Sequence, residues 1–242
     1  MELAQRIVNW LEEYLADSCA DGFVFGLSGG VDSATAAALA VRAAGAENTL
    51  GVLMPCHSQP EDATLGQLVA DTFSIPTLTV DLTAANDALL EELPSTDHHL
   101  AAANVRPRLR MTVLYYLAQA HNYLVLGSGN KAELMAGYYT KWGDGGVDLL
   151  PLGDLGKTAV WEMARALGVP QQVVDRPPTA GLWPGQTDEG EMGITYRELD
   201  YVLEAIEAGD TSGVDPAVLE KVQGMIACSA HKRVMPPVFR QD

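Results

Sequence analysis

The run Gly26-Leu27-Ser28-Gly29-Gly30-Val31-Asp32-Ser33 holds three kinds of group that phosphate chemistry uses. Gly29 and Gly30 let the backbone come close to a phosphate, and Ser28 and Ser33 offer hydroxyls. Asp32 is out of place in an anion site unless a cation stands between it and the phosphates, so it reads as a magnesium ligand. The plain alternative is an ordinary strand-to-helix turn, because short glycine motifs recur without function.

Two other stretches carry phosphate signatures. Gly156-Lys157-Thr158 matches the end of a Walker A loop, but the leading glycine position is Pro151, so that match fails. Gly127-Ser128-Gly129-Asn130-Lys131-Ala132 fits the dinucleotide fingerprint and has Asp148 about twenty residues on. That acid should close a second strand, whereas here it follows the glycine-rich Trp142-Gly143-Asp144-Gly145-Gly146, which disfavours hydride transfer. Glu133 lies in the first turn after Asn130, where an acid commonly sits solvated at a helix start. Opposite Asp32 it would be a second magnesium ligand.

The cations gather as well. Arg106, Arg108, Arg110, Lys131, Lys141, Lys157, His231, Lys232 and Arg233 include several that adjoin glycine turns rather than follow helical spacing. Each alone could serve solubility or a helix end. Together, in a chain of net charge −17, they favour recognition of an anion. The same net charge argues against a nucleic-acid partner, since affinity for a phosphate backbone comes from clustered Lys and Arg. No apolar run approaches the about 20 residues of a membrane span, and the start shows no signal peptide. Cys19, Cys56 and Cys228 show neither disulfide nor metal spacing, which fits a reducing, cytoplasmic compartment.

The elements that must position these groups alternate. Leu3, Ile7, Leu11 and Leu15 form one stripe of an amphipathic first helix. Strands are predicted at 23–27, 49–54, 77–82 and 123–126, and helices at 34–44, 61–73, 101–120 and 157–167. Two more helices are predicted at 195–208 and 216–229. Such alternation means a doubly wound α/β fold, a Rossmann-like open parallel sheet with helices on both faces. If strand four lies beside strand one on the side away from strand two, the two glycine turns flank the topological switch point, where ligands bind. Residues 136–153 hold too much glycine for a helix and read as a long substrate-contacting loop. Residues 177–193 are turn-rich and acidic and read as a lid or mobile segment. No internal linker marks a second domain, so 1–242 reads as one domain, with residues 195–242 packing on or closing the site.

The Ser28-Gly29-Gly30-Val31-Asp32-Ser33 loop resembles the pyrophosphate-binding loop of the ATP pyrophosphatases, and nearly the whole chain is similar to the ammonia-using NAD synthetases. The resemblance rests further on Asn104-Val105-Arg106-Pro107-Arg108-Leu109-Arg110-Met111 and on the stretch from Gly127 through Glu133. It continues in Tyr139-Thr140-Lys141-Trp142-Gly143-Asp144-Gly145-Gly146-Val147-Asp148, Pro178-Thr179-Ala180, Asp188-Glu189 and His231-Lys232-Arg233. It implies ATP held by Gly26, Leu27, Ser28, Gly29, Gly30, Val31, Asp32, Ser33, Ser128, Lys157 and Thr179, and Mg2+ held by Asp32 and Glu133. Deamido-NAD would contact Arg108, Lys141 and Asp148, with His231 and Lys232 closing over from the tail. Asp32, Lys157 and Asp148 are the expected catalytic residues, with Asp148 or Asp144 as proton acceptor.

The implied reaction is ATP-dependent amidation of deamido-NAD by ammonia through an acyl adenylate, releasing AMP and pyrophosphate, by a homodimer. Ser128 stands where many relatives have threonine, and Asn130-Lys131 looks more like the glutamine-using branch. About twenty residues precede strand one, so no amino-terminal glutaminase domain is expected. The rivals are another ATP pyrophosphatase, such as the synthetase part of a GMP synthetase or a thiolation enzyme, and a non-catalytic nucleotide-binding module. Thiolation wants paired reactive cysteines or an RNA surface, and a binding module would not need two facing acids.

Overall fold

The computed structural model describes residues 1–179, 181 and 185–241. Four parallel strands form one sheet in the order β3-β2-β1-β4: β1 Gly22–Gly26, β2 Thr49–Leu53, β3 Thr77–Thr79 and β4 Tyr123–Val125. β4 thus lies beside β1 on the side away from β2, with Val24 opposite Val125 in register. This is the α/β arrangement expected from the alternation, and it places the switch point between the carboxyl ends of β1 and β4.

Side-chain alternation along β1 assigns its neighbours to two layers. Phe23 and Phe25 face a core with α1 (Glu2–Ser18), α2 (Val31–Ala44), α3 (Pro60–Phe73) and α8 (Lys157–Leu167). Val24 faces the other way, into a smaller core with Val52, Val125 and the inner face of α6 (Val105–His121). α2 is buried along most of its length, and its Ala34, Ala36, Ala37, Ala38 and Ala40 are small enough to sit between sheet and helices. A third core joins α7 (Lys131–Ala136), α11 (Tyr196–Ala208) and α12 (Pro216–Ser229) through Ala132, Tyr196, Leu199 and Val222.

Three elements differ from the sequence expectation. The single helix expected at 101–120 is two helices, α5 (His99–Ala103) and α6, which meet at Asn104. Pro107 explains the break, because it has no N–H to give residue 103 and its ring crowds that carbonyl. Helix α4 (Thr83–Glu92) had no visible signal, since Asn86 is its buried residue and Leu89 stays exposed. The segment 177–193, read as a lid, ends in α10 (Asp188–Met192), whose Asp188 and Met192 are buried; the short α9 (Gln171–Val174) precedes it. Ala180, Leu182, Trp183 and Pro184 of that segment lie outside the described residues, as does Asp242. Of the loop expected over 136–153, Ala136 instead closes α7, and residues 137–153 form a run of turns crossed by a parallel bridge between Leu126 and Leu149.

Candidate active site

The turn after β1 is shaped by one glycine. Gly29 has φ +74°, and a Cβ there would stand 2.7 Å from the Asp62 carbonyl oxygen of α3. The loop is tied internally: Ser33 Oγ donates to the Gly30 carbonyl at 2.9 Å and lies 3.0 Å from Ser28 Oγ. No side chain caps α2, so the amides of its first turn remain for a ligand.

The turn after β4 ends at Asn130, which is fully buried. Its Oδ1 accepts from Glu133 N–H at 3.0 Å, and Glu133 Oε2 accepts from Asn130 N–H at 3.3 Å, a capping box that starts α7. The Asn130 amide then donates to Asp32 Oδ1 at 2.9 Å, joining the two glycine turns directly.

Lys157 opens α8 and is 1% exposed. Asp200 of α11 accepts from the N–H groups of Lys157 at 3.1 Å and Thr158 at 2.8 Å. The Gly156-Lys157-Thr158 run is therefore a helix start capped from a distant helix, and a Cβ on Gly156 would meet the Asp200 carboxylate at 2.7 Å. So anchored, the Lys157 ammonium lies 2.6 Å from Asp32 Oδ2, 3.3 Å from Glu133 Oε1 and 4.6 Å from the centre of the Tyr196 ring. Burial would lower its pKa, but the two carboxylates override this and hold it above the usual lysine value. Burial pushes the Glu133 carboxyl up to about 7 against the opposing pull of Lys157, with Asp32 and Asp188 adding repulsion. The Tyr196 hydroxyl lies 2.9 Å from Asp188 Oδ2 and 3.3 Å from Glu133 Oε1.

These groups line a cavity of about 620 Å³ that opens at the carboxyl ends of β1, β2 and β4, a size typical of small-molecule sites. Gly26, Leu27, Ser28, Gly30, Val31, Asp32, Ser33, Ser128, Glu133, Lys157, Thr179 and Lys232 all line it. Gly29 lies beneath, packed on α3. Arg108, Lys141, Asp148 and His231 do not line it, although each follows or precedes a lining residue. Arg108 is exposed and donates to the carbonyls of Asn104 at 3.3 Å and Lys141 at 3.4 Å, while Lys141 Nζ donates to the His231 carbonyl. Asp148 accepts from Tyr115 OH at 3.0 Å and from Val125 N–H at 2.8 Å, which fixes the edge of β4. The acid of that loop that does line the cavity is Asp144, whose Oδ1 accepts from Thr140 N–H at 2.9 Å. Solvent reaches Asp144 from the cavity, yet protein crowds its other sides and raises its pKa above the usual carboxylate range.

Sequence reasoning missed Asn130, Asp200 and Tyr196 as parts of the site. Asn130 had a local signal, the cap followed three residues later by Glu133. Asp200 and Tyr196 had none, since their partners lie in distant segments. Arg110 was noted only as one cation among several; its Nε donates to the Met54 carbonyl at 3.1 Å, and it lines the cavity. In the tail, Lys232 Nζ donates to the carbonyls of Gly137 at 2.7 Å and Tyr139 at 2.8 Å. Arg233 reaches the last carbonyls of α7 and α12.

The residues also suit a magnesium ion. Asp32 and Glu133 present two carboxylates to one ammonium at the cavity wall, and the buried Asp188 lines the same cavity. Hard oxygen donors completed by phosphates and water are what magnesium takes. Among the described residues, no three ligating side chains already surround one point, so the phosphates would be part of the shell.

A model of the NAD synthase family matches residues 3–236. The chain belongs to that family. It is similar to the NH(3)-dependent NAD(+) synthetase of Carboxydothermus hydrogenoformans, at 47% identity over 98% of this chain and 96% of the relative. Among solved structures it is similar to the NMN synthetase of Francisella tularensis, with TM-score 0.91 and 38% identity over 99% of this chain and 98% of that one. The NH3-dependent NAD synthetase of Campylobacter jejuni superposes with TM-score 0.86 and 26% identity, over 99% and 98% of the two chains. Membership of the NAD synthase family, with curated relatives named NH(3)-dependent NAD(+) synthetase, sets aside the thiolation, GMP-synthetase-like and non-catalytic readings. Among the described residues no helix is long and apolar enough to cross a membrane.

Proposed function

We propose that this chain joins ammonia to the nicotinate carboxylate of deamido-NAD at the expense of ATP, forming NAD, AMP and pyrophosphate. The observation that carries this reading is the meeting of Asp32 and Glu133 around Lys157 at the mouth of the α2 amides. The triphosphate would lie on that helix start, with Ser28, Ser33, Ser128 and Thr179 as hydroxyl partners. Asp32 and Glu133 would hold a magnesium ion, which supplies charge neutralisation on the phosphates.

The substrate carboxylate attacks the α-phosphorus and pyrophosphate leaves. Lys157 and the fixed amides stabilise the charge that grows on the leaving group. Ammonia then displaces AMP from the acyl adenylate. We assign the proton acceptor to Asp144 rather than Asp148, because Asp144 faces the cavity and Asp148 is committed to Tyr115 and Val125. Arg108, Lys141, Asp148 and His231 would meet deamido-NAD where it passes over the cavity rim, with Lys232 inside it. The working form would be a cytoplasmic homodimer, in keeping with three free cysteines.

A second reading has one observation in its favour. The Francisella tularensis relative, similar over nearly the whole chain, is named for NMN, so the deamidated mononucleotide is an alternative acceptor. Incubation with ATP, Mg2+ and an ammonium salt, with either acceptor, decides the matter. AMP formed with deamido-NAD supports the first reading, AMP formed with the mononucleotide alone supports the second, and AMP with neither refutes both. Substituting glutamine for ammonium in the same assay should abolish turnover.

A further inference from the structure

We propose that Arg176 is a phosphate-binding residue of this site, its ligand the β- and γ-phosphates of ATP and the pyrophosphate they become. This rests on reading the turn after β1 as the seat of the triphosphate. Among the described residues four cations line the cavity: Arg110, Lys157, Arg176 and Lys232. Three of them are engaged by several acceptors each. Lys157 stands between Asp32 and Glu133, Lys232 donates to the Gly137 and Tyr139 carbonyls, and Arg110 donates to the Met54 carbonyl and to Ser58 Oγ. Arg176 is held differently, by the residue that supports the glycine turn. Its Nη2 lies 2.5 Å from Asp62 Oδ1, in the first turn of α3. The other Asp62 oxygen accepts from Gln59 N–H at 3.1 Å and so caps α3. The Asp62 carbonyl oxygen is the atom that a Cβ on Gly29 would meet at 2.7 Å. One residue thus packs on the glycine turn through its backbone and holds the guanidinium through its side chain.

A brace between α3 and residue 176 does not account for the whole group. Asp62 engages one N–H, and among the described residues the other donors of the guanidinium have no partner. A fork with open donors in the same cavity as the uncapped α2 amides matches a phosphate, which accepts on several oxygens at once. Pairing with Asp62 fixes the side chain before the ligand arrives, so less freedom is lost on binding. Pro177 and Pro178 follow directly, and their fixed φ angles stiffen the link to Thr179, which lines the same cavity. Pyrophosphate gains negative charge as its bond to the α-phosphorus breaks, and a guanidinium on it stabilises that charge.

The test reads binding and not turnover. Isothermal titration calorimetry with Mg2+ present compares ATP and AMP on the wild type, Arg176→Gln and Asp62→Asn, with folding checked by far-UV circular dichroism. ATP should bind Arg176→Gln about tenfold or more weakly, whereas AMP, which lacks the outer phosphates, should bind it as it binds the wild type. Asp62→Asn keeps an oxygen for the α3 cap and for the guanidinium, and should stay within about threefold of wild type for both nucleotides. A brace alone predicts equal damage from either variant, because both break the same pair. Undiminished ATP binding by Arg176→Gln, equal weakening of ATP and AMP, or equal weakening of ATP binding in the two variants would overturn the proposal and leave the ATP site standing. In parallel, phenylglyoxal is applied to the wild type and the Arg176 adduct is measured by mass spectrometry, so a result follows even if Arg176→Gln does not fold. Protection by ATP and not by AMP supports the proposal. An adduct that ATP leaves unchanged, one that AMP reduces as well, or no adduct at all overturns it. A wild type that does not bind ATP brings down the reading of the ATP site and the proposal together.

Discussion

The Lys157 ammonium sits 2.6 Å from Asp32 Oδ2, across 125 positions of sequence, and so ties the start of α8 to the start of α2. It is the counter-ion of the acidic pole and lines the cavity into which the α2 amides, proposed to receive phosphate, open. Stability and the proposed catalysis would therefore depend on the same side chain.

Replacing Lys157 by Met leaves facing carboxylates without their buried partner. The expected loss is ~3–5 kcal/mol of folding stability in urea, with AMP formation falling by roughly 10²–10³. Magnesium should restore part of the stability, because it supplies charge where the ammonium was. Lys157→Arg should not rescue activity, since a planar fork does not fit a point-charge site. A Lys157→Met protein as stable as wild type would show that the ammonium does not hold the turns together.

Asn130 does two jobs at once, as the cap of α7 and as donor to Asp32. Asn130→Ala should cost ~2–4 kcal/mol, more than a cap alone, because a bond to a charged group goes with it. Adding Asp32→Ala to this variant should cost less than Asp32→Ala costs in the wild type. Strict additivity in that double-mutant cycle would deny the bridge.

Asp200 acts on the site through Lys157, as a positioning residue. Asp200→Ala removes the cap of α8 and should lower stability by about 1–2 kcal/mol. It should reduce kcat more than it raises KM for deamido-NAD, since the ammonium shifts and the acceptor's own contacts do not. Asp200→Asn, which keeps acceptor oxygen for the helix start, should recover much of the loss. A pure KM effect would place Asp200 elsewhere in the mechanism.

Glu133 gives the metal-free protein a pH signature. Burial raises its folded pKa to about 7, above the ordinary 4.5, so the folded form binds this proton more tightly than the unfolded chain. Its contribution to stability is complete below about 4.5 and is lost as pH rises through about 7. Melting of the protein in EDTA should therefore show a fall in that window that Glu133→Gln lacks. Added Mg2+ should stabilise the wild type more at the upper end of the window than at the lower. Parallel melting curves for the two proteins would remove the assignment.

Much of the fold could be read from local pattern. Phe23-Val24-Phe25, the alanines of α2 and the stripe on α1 signal their elements through neighbours within one or two turns, and those signals survive folding. The glycine turns at 26–30 and 127–130 were visible for the same reason, since Gly29 serves a backbone conformation that few other residues adopt. α4 was invisible because it buries almost nothing apolar, and the break at Asn104 was hidden by a helical pattern that Pro107 interrupts.

By itself, then, the sequence determined the alternating α/β plan, the phosphate-type loop and the two acids, because each is written in residues close together along the chain. Which acids stand together was decided only by tertiary structure. The order β3-β2-β1-β4 brings residue 130 against residue 32, and α11 delivers Asp200 and Tyr196 to Lys157. The same packing turns Asp144 toward the cavity and Asp148 toward Val125, four residues apart in one loop. Side-chain direction in a glycine-rich run is set by what the loop packs on, and no periodicity records that in advance.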